Sequence, residues 1–597
     1  MPVQRRGKKD FVNLRAYSDM VSAAPLRLDP DRSGVTQEQR PSWTLVPPLF
    51  TTTLAATYSL ARQANNKNPK RYCFHLLHEQ STLHRMSAKV QSVISVGSDG
   101  IIADIECHLS NSLPGIVIVG FANKAVDEAK ERLRGAFASS NLQLPRKRIT
   151  INLAPADVPK DGSGFDLAIA ASILAAGGQI KHTFTSDEAC LGELGLDGIV
   201  RPVRGIIGKL LAARARGVTT FYIPEANLRQ AQLVPNITLF PVSQLAGLYQ
   251  LLCETTPAKP IRTKDGVFEA AEAEIAKRSE ESLTLGDVVG QARAKRALII
   301  AAAGGHNVFF SGPPGTGKSM LAKTLPGLLP PLTREEMLEV THLHSLAGHE
   351  YDRIITARPF RSPHHSASHV AVIGGGLNLR PGEISLSHRG ILFFDELPEF
   401  SRQTLEALRQ PLEDRVITVA RAKDTAQYPA SFILVATANP CPCGFYGTTK
   451  ACRCLPHQIQ RYQQKVSGPI LDRIDLYAEV SEIDHRKLLA KQTDQTEQVT
   501  AAEQIERARA AQAKRYGNAN KLNRDMSNRD IKQQAGVSPA AKDLLDLAAQ
   551  RLELSARAYM RSLKVARTIA DLEASETIEP PHISEALQYR SQPKAQL

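Results

Sequence analysis

The chain of 597 residues carries 74 Lys and Arg against 60 Asp and Glu, and 42% of its residues are hydrophobic. This composition is typical of globular proteins, and the length suggests about three or four domains. No uninterrupted apolar run is long enough to cross a bilayer, and the N-terminus lacks the charged-then-apolar pattern of a signal peptide, so we predict a cytoplasmic protein without a membrane partner. The net charge of +14 favours a polyanionic partner.

Residues 1–85 are basic and carry +7 of the net charge, so the rest of the chain is only mildly basic. Prolines cluster around the only tryptophan, Trp43, and the segment has no clear hydrophobic period. We interpret it as a disordered extension and not as a domain. Two explanations of this segment stay open. Either the start codon is assigned too far upstream, since the regular pattern begins at Met86, or the segment is a basic arm that touches DNA.

Residues 86–253 are predicted to form an α/β domain, because strand and helix patterns alternate along them. Apolar runs at 116–119 and 149–153 predict strands, and an amphipathic stretch at 122–138 predicts the helix between them. The following residues 254–286 contain two prolines and a charged stretch. They predict a linker with one short helix, separating two moving parts.

The first domain resembles the Lon protease domain, because the four residues from Pro159 to Gly162 reproduce the start of the motif that carries Lon's serine nucleophile. Alignment from Pro159 puts Gly164 where the serine should stand, and Ser163 is one residue out of register. Lys209 still occupies the position of the partner lysine. A serine-lysine dyad needs a hydroxyl within hydrogen-bond reach of the amine. The resemblance therefore implies a Lon-like domain that lacks the nucleophile, with a structural or substrate-binding Lys209.

An apolar run at 308–310 is followed by a glycine-rich loop of the Walker A type, which binds the phosphates of ATP. The glycines let backbone N–H groups converge on the phosphates, the lysine contacts the terminal phosphates, and the serine hydroxyl ligates Mg²⁺. The loop consists of Gly312, Pro313, Pro314, Gly315, Thr316, Gly317, Lys318 and Ser319.

Two further apolar runs end in polar residues, as the strands of an ATP-hydrolysing core do. The run 391–394 ends in Asp395 and Glu396, the Walker B pattern, in which the aspartate helps to hold Mg²⁺ and the glutamate polarises the attacking water. The run 432–438 ends in Asn439, a candidate sensor of the water or of the γ-phosphate.

Some 75 residues separate the two Walker motifs, more than a minimal helix-strand-helix path needs. We predict an insertion at about 353–387, with a hairpin near 373–377. Its arginines, Arg358, Arg361 and Arg380, are expected to touch the substrate, or else to pair with local carboxylates. The six histidines of this region are irregularly spaced, which argues against a dedicated metal site.

Cysteines form two C-x-C pairs after the sensor strand, Cys441 with Cys443 and Cys452 with Cys454. Four thiolates can complete a tetrahedral Zn²⁺ site, so we predict structural zinc, with unliganded loop thiols as the alternative. The other four are scattered and are interpreted as core or surface thiols; they are Cys73, Cys107, Cys190 and Cys253.

After residue 481 the strand patterns end and helical periodicity dominates, which predicts a helical lid over 481–597. Two arginines carry expectations from resemblance. The segment 467–475 resembles the arginine-finger stretch of AAA+ ATPases, in which Arg473 would reach the ATP site of a neighbouring subunit, so the active site would need an oligomer. Arg557, at the start of a predicted helix, matches the sensor-two position.

From Met86 onward the chain resembles the YifB/ComM family of magnesium-chelatase-like AAA+ ATPases. The resemblance implies a multidomain α/β protein: a Lon-protease-like domain (86–253), an AAA+ P-loop core (287–480) with a helix-two insert facing the pore, and the helical lid (481–597). The phrases that carry it are Asp104-Ile105-Glu106, Leu113-Pro114-Gly115-Ile116, Arg358-Pro359-Phe360-Arg361-Ser362-Pro363-His364-His365, Asn439-Pro440-Cys441-Pro442-Cys443-Gly444 and Val565-Ala566-Arg567-Thr568-Ile569-Ala570-Asp571-Leu572.

This resemblance further implies a ring, a hexamer, that hydrolyses ATP with Mg²⁺. For the ComM branch it implies a motor that migrates branched DNA during recombination of incoming single strands in natural transformation. Two alternatives stay open: the ATPase motor of a metal-inserting chelatase that acts on a partner subunit, and an ATP-dependent protease, which Gly164 disfavours.

Overall fold

The structure is a computed structural model that describes residues 87–96, 99–120, 124–156, 164–254, 259–263, 283–348, 353–376, 379–420, 425–448, 450–466, 468–482 and 495–590. The predicted extension, the motif residues from Pro159 to Ser163, most of the predicted linker, Cys73 and His349 lie outside these ranges. No helix within these ranges is long and apolar enough to cross a membrane.

The first domain is built on a mixed sheet. Its strands are β1 Ser87–Val96, β2 Asp99–Ser110, β3 Gly115–Val119, β4 Arg148–Ala154, β5 Glu188–Cys190, β6 Glu193–Leu194, β7 Val200–Arg201, β8 Thr220–Pro224, β9 Thr238–Val242 and β10 Ile261–Arg262. Eight of them form one sheet in the order β10-β9-β8-β5-β1-β2-β4-β3, and β6 pairs with β7. In β4, Ile149, Ile151 and Leu153 are buried at every second position, the period of a strand with one core face.

Helices cover this sheet. They are α1 Lys124–Ser139, α2 Asp166–Ala176, α3 Ile206–Arg214, α4 Leu228–Ala231 and α5 Leu245–Leu252. All but one residue of α2 are buried, as expected for a helix that is apolar all round. The sheet extends beyond the predicted boundary at residue 253, since β10 pairs with β9 through Ile261 and Arg262.

The second domain contains a five-stranded parallel sheet. The strands are β11 Val308–Ser311, β12 Phe360–Arg361, β13 Gly374–Gly375, β14 Arg380–Pro381, β15 Ile391–Phe394, β16 Val416–Ala420, β17 Thr425–Pro429, β18 Ile433–Ala438 and β19 Leu476–Glu479. The main sheet has the order β12-β15-β18-β11-β19, whereas β13 with β14 and β16 with β17 form separate antiparallel pairs. Both β15 and β18 are buried along their whole length, which explains their continuous apolar runs.

Strand β18 lies between β11 and β15, although it follows both in sequence. Because all three run parallel, the loops at their carboxyl ends share one edge of the sheet, where α/β proteins bind ligands. The helices of this domain are α6 Ala292–Gly304, α7 Lys318–Thr324, α8 Arg334–Ala347, α9 His369–Ile373, α10 Glu383–Leu386, α11 Arg402–Ala407, α12 Arg409–Asp414, α13 Pro456–Gln464 and α14 Gly468–Leu471.

The C-terminal region is helical, with α15 Gln495–Tyr516, α16 Asn528–Gln534, α17 Pro539–Arg551, α18 Ala556–Leu572 and α19 Pro580–Gln588. One continuous core joins these helices to α6 and β11. At its centre Arg567 is fully buried, with Asp571 2.9 Å away and the carbonyl oxygen of Glu576 accepting a hydrogen bond at 2.8 Å. A buried guanidinium needs such partners, so this phrase of the sequence is structural.

Helix α8 and the described residues that follow it contact the first domain. The Gly208 backbone N–H donates to Nδ1 of His342 at 3.3 Å, and the Gln230 side chain donates to the carbonyl of Arg353 at 3.0 Å. Leu338 and Ile354 also pack against the core of the first domain. The domains therefore share a direct contact, in addition to the predicted linker.

Candidate nucleotide-binding site

The glycine-rich loop connects β11 to α7, in the strand-loop-helix order that the sequence predicts. Gly315 and Gly317 have φ of +80° and +89°, a region that other residues rarely adopt. The Thr316 hydroxyl donates to the carbonyl of Pro313 at 2.9 Å and braces the turn. These residues shape a backbone turn suited to bind an anion.

Lys318 lies at the centre of this loop. Its Nζ donates to the carbonyl oxygens of Gly312 at 2.6 Å and Pro313 at 2.7 Å, and to Oδ1 of Asn439 at 3.1 Å. Burial lowers the pKa of Lys318, and the carboxylates of Asp395 and Glu396 oppose this shift. The fold thus brings the Walker A lysine and the predicted sensor into hydrogen-bond contact across 121 residues of sequence.

Asp395 accepts hydrogen bonds from a residue of α7 and from a residue of β18. The Ser319 hydroxyl donates to Oδ2 at 2.8 Å, and the Thr437 hydroxyl donates to Oδ1 at 2.6 Å. A serine hydroxyl beside a carboxylate offers the hard oxygen ligands that Mg²⁺ prefers. Ser319 and Asp395, predicted as Mg²⁺ ligands, therefore lie where one ion could contact both.

Glu396 is exposed and has a φ of +54°, in the left-handed region. This backbone conformation is costly for a residue with a side chain, and it is concentrated at functional sites. The Glu396 backbone N–H donates to the Thr437 hydroxyl at 3.0 Å, which holds the turn. The carboxylate that the sequence assigns to water activation thus points away from the apolar core.

Thr437 is a residue of the candidate site that the sequence reasoning missed. It is fully buried, and its single hydroxyl bridges the Asp395 side chain and the Glu396 backbone. The only signal in the sequence is one polar residue within the apolar run of β18. That signal is weak, because threonine is a common strand residue.

Substituting Thr437→Val should raise the Mg²⁺ concentration needed for half-maximal ATP turnover by about 10–100-fold, the range found when a partner of a metal ligand is removed. Valine has nearly the same shape, so the fold should persist while Asp395 loses its donor. Titrating Mg²⁺ against ATP turnover measures the effect. Thr418→Val is the matched control, since that hydroxyl bonds Gln410 at an exposed position. An unchanged Mg²⁺ dependence in Thr437→Val would refute this role.

The predicted arginine finger lies at the amino ends of the parallel strands, opposite the carboxyl ends that carry the glycine-rich loop. Arg473 precedes β19, and its carbonyl accepts from the Asn307 side chain at 3.0 Å, at the amino end of β11. Asn307 is five residues before Gly312, which is about 16 Å of extended chain. Arg473 is therefore remote from its own chain's phosphate-binding loop.

Arg557 lies beside Arg473. Both contact the carboxylate of Glu413 on α12, Arg473 at 2.6 Å and Arg557 at 3.5 Å. Arg473 is the main cause of the lowered pKa of Glu413, so that carboxylate stays charged at neutral pH. The two arginines line a cavity of about 420 Å³ together with the cations Arg415, Arg524, Arg561 and Lys564.

The expected contact of the insert arginines with substrate is wrong for Arg358. Its guanidinium is 9% exposed, lies 3.0 Å from Glu336, and donates to the carbonyl of Pro330 at 2.6 Å. Arg361 binds both carboxylate oxygens of Glu383, at 2.5 and 2.6 Å. The alternative prediction is pairing with local carboxylates, and the structure shows it for Arg358 with Glu336 and for Arg361 with Glu383. Arg380 lies in β14.

The four predicted zinc ligands come together in space. The Sγ atoms of Cys441, Cys443, Cys452 and Cys454 all lie within 4.8 Å of one another. Among the residues that the structure describes, no other group of three or more His, Cys, Asp or Glu side chains is placed to hold a metal ion. Each C-x-C pair keeps two cysteines close in sequence, and the fold of the loop brings the second pair beside the first.

In the first domain, Gly164 faces Lys209. A Cβ atom built on Gly164 would lie 3.5 Å from the lysine Nζ and 3.4 Å from Cγ1 of Val203. Burial lowers the pKa of Lys209 to about 8. The fold therefore retains the spatial relation of a serine-lysine dyad, with a glycine where the nucleophile would be.

Substituting Gly164→Ser should create a reactive serine, because a hydroxyl one bond beyond the Cβ position reaches hydrogen-bond distance of the amine. A fluorophosphonate probe should label this variant and not the wild type. Since only the neutral amine accepts a proton, labelling should rise as the pH increases through about 8, the pKa of Lys209. Gly164→Ala and the double change with Lys209→Met are the controls. No labelling of Gly164→Ser at any pH would contradict the inferred geometry.

Three family models match the chain. The model described as magnesium chelatase, subunit ChlI, matches residues 284–488, and its C-terminal counterpart matches residues 494–590. The model of subunit ChlI of Mg-chelatase matches residues 105–227. The matches thus cover most of the first domain, then the ATPase core and the helical region.

Similar proteins extend over most of the chain. Competence protein ComM of Haemophilus influenzae is 42% identical over 505 residues, 84% of this chain and 97% of that protein. Uncharacterized protein YifB of Escherichia coli is 40% identical over 488 residues, 82% of this chain and 94% of that protein. Lon protease 2 of Herpetosiphon aurantiacus is 37% identical over 145 residues, 23% of this chain and 17% of that protein.

Proposed function

Because the chain belongs to the YifB/ComM family of magnesium-chelatase-like AAA+ ATPases, we propose that it is a ring-forming motor that couples ATP hydrolysis to DNA remodelling. The reaction proposed is branch migration, or helicase action, in recombination during natural transformation. The observation that most supports the ATP-hydrolysing part of this proposal is the contact chain from Ser319 through Asp395 and Thr437 to the Glu396 turn, beside Lys318 and Asn439. We propose that this reaction takes place in the cytoplasm, because ATP is supplied there.

Each residue of the site has a separate task in the proposed hydrolysis. Lys318 and the loop N–H groups bind the phosphates, Glu396 orients the attacking water, and Asn439 contacts that water or the γ-phosphate. Ser319 and Asp395 would hold Mg²⁺, which neutralises charge on the phosphate oxygens when bound. Asn439 already contacts Lys318, so the sensor is linked to the phosphate-binding residue.

The active site is proposed to be completed by a second copy of the chain. Arg473 and Arg557 meet at Glu413, at the edge of the sheet opposite the glycine-rich loop. A guanidinium at that position can serve a nucleotide only on a neighbouring subunit, where it would compensate the charge of the transition state. A closed ring gives every site such a neighbour, and we propose a hexamer.

Two observations support DNA as the substrate. The chain carries a net charge of +14, which favours association with a polyanion. The relative from Haemophilus influenzae is named competence protein ComM, which agrees with the role in natural transformation that is proposed here. The proposed substrate is single-stranded or branched DNA, since recombination of an incoming strand passes through a branched intermediate.

The test is ATP turnover of the purified protein alone and with single-stranded, duplex or four-way-junction DNA, with Lys318→Ala as the blank. We expect stimulation by DNA, greatest with the junction, and movement of the branch point only in the presence of ATP. A rate of ATP hydrolysis that none of these DNAs changes would overturn the proposed action on DNA but not the proposed ATPase activity.

The second candidate is the ATPase motor of a metal-inserting chelatase, which the description of the matching family models favours. Such a motor acts on a partner subunit that binds a tetrapyrrole. Its distinguishing result is turnover that depends on chelatase partner subunits and not on DNA. The Lon-like first domain does not decide between the two candidates, because a family model described as subunit ChlI of Mg-chelatase matches residues 105–227 within it.

A further inference from the structure

The four cysteines belong to a loop that connects the sensor strand to α13, here named the cysteine loop, residues 440–448 and 450–455. Its first cysteine, Cys441, is only two residues from Asn439 and is fully buried. The second pair is brought back beside the first, so that Cys452 lies 3.7 Å from Cys441 and 3.5 Å from Cys443. The two cysteine pairs of the loop therefore meet next to the candidate nucleotide-binding site.

The sulfur geometry fits one tetrahedral metal ion. The Cys441 and Cys443 Sγ atoms are 3.4 Å apart, and the four sulfurs lie within 4.8 Å of one another. A Zn–S bond of about 2.3 Å in a tetrahedron requires sulfur separations of about 3.8 Å. A disulfide requires about 2.05 Å, and all four cysteines are free. The arrangement thus matches a metal-thiolate site better than a pair of disulfides.

Backbone donors surround the sulfurs. The N–H of Tyr446 donates to Sγ of Cys441 at 3.3 Å, and the N–H of Cys443 donates to Sγ of Cys454 at 3.4 Å. Such N–H groups stabilise the negative charge of metal-bound thiolates and orient them. Four thiols without a metal have no comparable need for these donors.

The cysteine loop also touches the glycine-rich loop. Gly444, the residue after the first C-x-C pair, has a φ of +85°, and a Cβ atom there would lie 2.6 Å from Cδ of Pro314. On its other side the carbonyl of Pro440 accepts from the Gln463 side chain of α13 at 3.1 Å. The loop is therefore held between α13 and the wall of the phosphate-binding turn.

We propose that the four cysteines bind one Zn²⁺, and that this metal holds Asn439 and the Pro314 wall in the arrangement that ATP turnover needs. The metal is structural, because four thiolates complete its coordination and leave no position for substrate. The coupling to turnover rests on the proposed ATPase function, whereas the metal site does not.

Metal content tests the site. Elemental analysis of the purified protein should give about one zinc per chain, and Cys452→Ser should lose it, whereas Cys253→Ser, outside the cluster, should retain it. Protein loaded with Co²⁺ should show the visible absorption of tetrahedral cobalt-thiolate. Absence of zinc together with absence of that absorption would overturn the site.

Reversible removal of the metal from the folded wild type tests the coupling. A thiol-reactive zinc-release step followed by reduction and chelation should lower turnover at least about tenfold, and Zn²⁺ should restore it. ATP binding is measured in parallel with a fluorescent analogue. Unchanged turnover after proven zinc loss would overturn the coupling. A zinc-loaded protein that never hydrolyses ATP would refute the proposed function and not the metal site.

A matched pair of glycines tests the contact between the loops without touching a ligand. Gly444→Ala should lower turnover while retaining zinc, because its methyl group meets Pro314. Gly447→Ala has similar backbone strain, with a φ of +75°, but open space around it, and should hydrolyse ATP nearly as the wild type does. Equal turnover in the two variants would show that the contact with Pro314 does not matter.

Discussion

Glu396→Gln should lower ATP turnover by about 10²–10⁴-fold, the range for loss of a general base, while ATP binding persists. Glutamine has nearly the shape of glutamate but cannot polarise water as a carboxylate does. The turn that holds residue 396 depends on its backbone N–H and on Thr437, which the substitution leaves in place. Steady-state hydrolysis and binding of a fluorescent ATP analogue measure the two effects separately.

Glu399→Gln is the matched control for this experiment. It lies three residues further on in the same segment, and its carboxylate pairs with Lys465 at 3.1 Å. That exposed pair contributes about 0–1 kcal/mol, so hydrolysis should be close to that of the wild type. Normal turnover in Glu396→Gln, or equal losses in both variants, would remove Glu396 from the role of water activation.

Arg473→Ala should lower turnover by about 10³–10⁵-fold, the effect of losing an arginine finger. The Arg473 side chain is 12% exposed and pairs with Glu413, whose carboxylate is 46% exposed and stays in contact with water when the arginine is removed, so the fold should persist. Turnover and the assembly state by light scattering are measured together. Arg551→Ala, at the exposed C-terminal end of α17, controls for loss of a surface arginine.

A mixture of two inactive variants distinguishes action on a neighbour from action within one chain. Arg473→Ala retains its glycine-rich loop, and Lys318→Ala retains its arginine. If Arg473 serves the neighbouring subunit, some interfaces of a mixed ring contain both intact parts, and turnover should partly recover. If it serves its own chain, no site is complete and mixing recovers nothing. The distance between Arg473 and the loop predicts recovery.

Features formed by neighbouring residues could be predicted from the sequence. The eight residues of the glycine-rich loop carry their function within one turn, so Lys318 and Ser319 were identifiable without a fold. Asp395 and Asn439 were identifiable because each ends an apolar strand of a parallel sheet, whose carboxyl ends meet at one edge. The two C-x-C pairs were close enough in sequence to suggest one site.

Features formed by distant residues could not be predicted in this way. Thr437 has no local mark of its role, which exists only because β18 is inserted between β11 and β15. Arg358 looked available for substrate, but the Glu336 carboxylate that neutralises it comes from α8, 22 residues earlier in the chain. The first domain also extends past its predicted boundary, because two residues of β10 are too short a run to register as a strand.

The sequence by itself predicted the chemistry proposed for this protein: the residue types that would bind phosphate, Mg²⁺ and a thiophilic metal, and Gly164 where the Lon motif has its serine. Only the tertiary structure decided which of these groups meet. It joined Lys318 to Asn439, faced Gly164 with Lys209, and put Arg473 and Arg557 together at Glu413, away from their own loop. The physical reason is that hydrogen bonds and ion pairs act over about 3–4 Å, whereas strand order in the sheet sets which distant segments come that close.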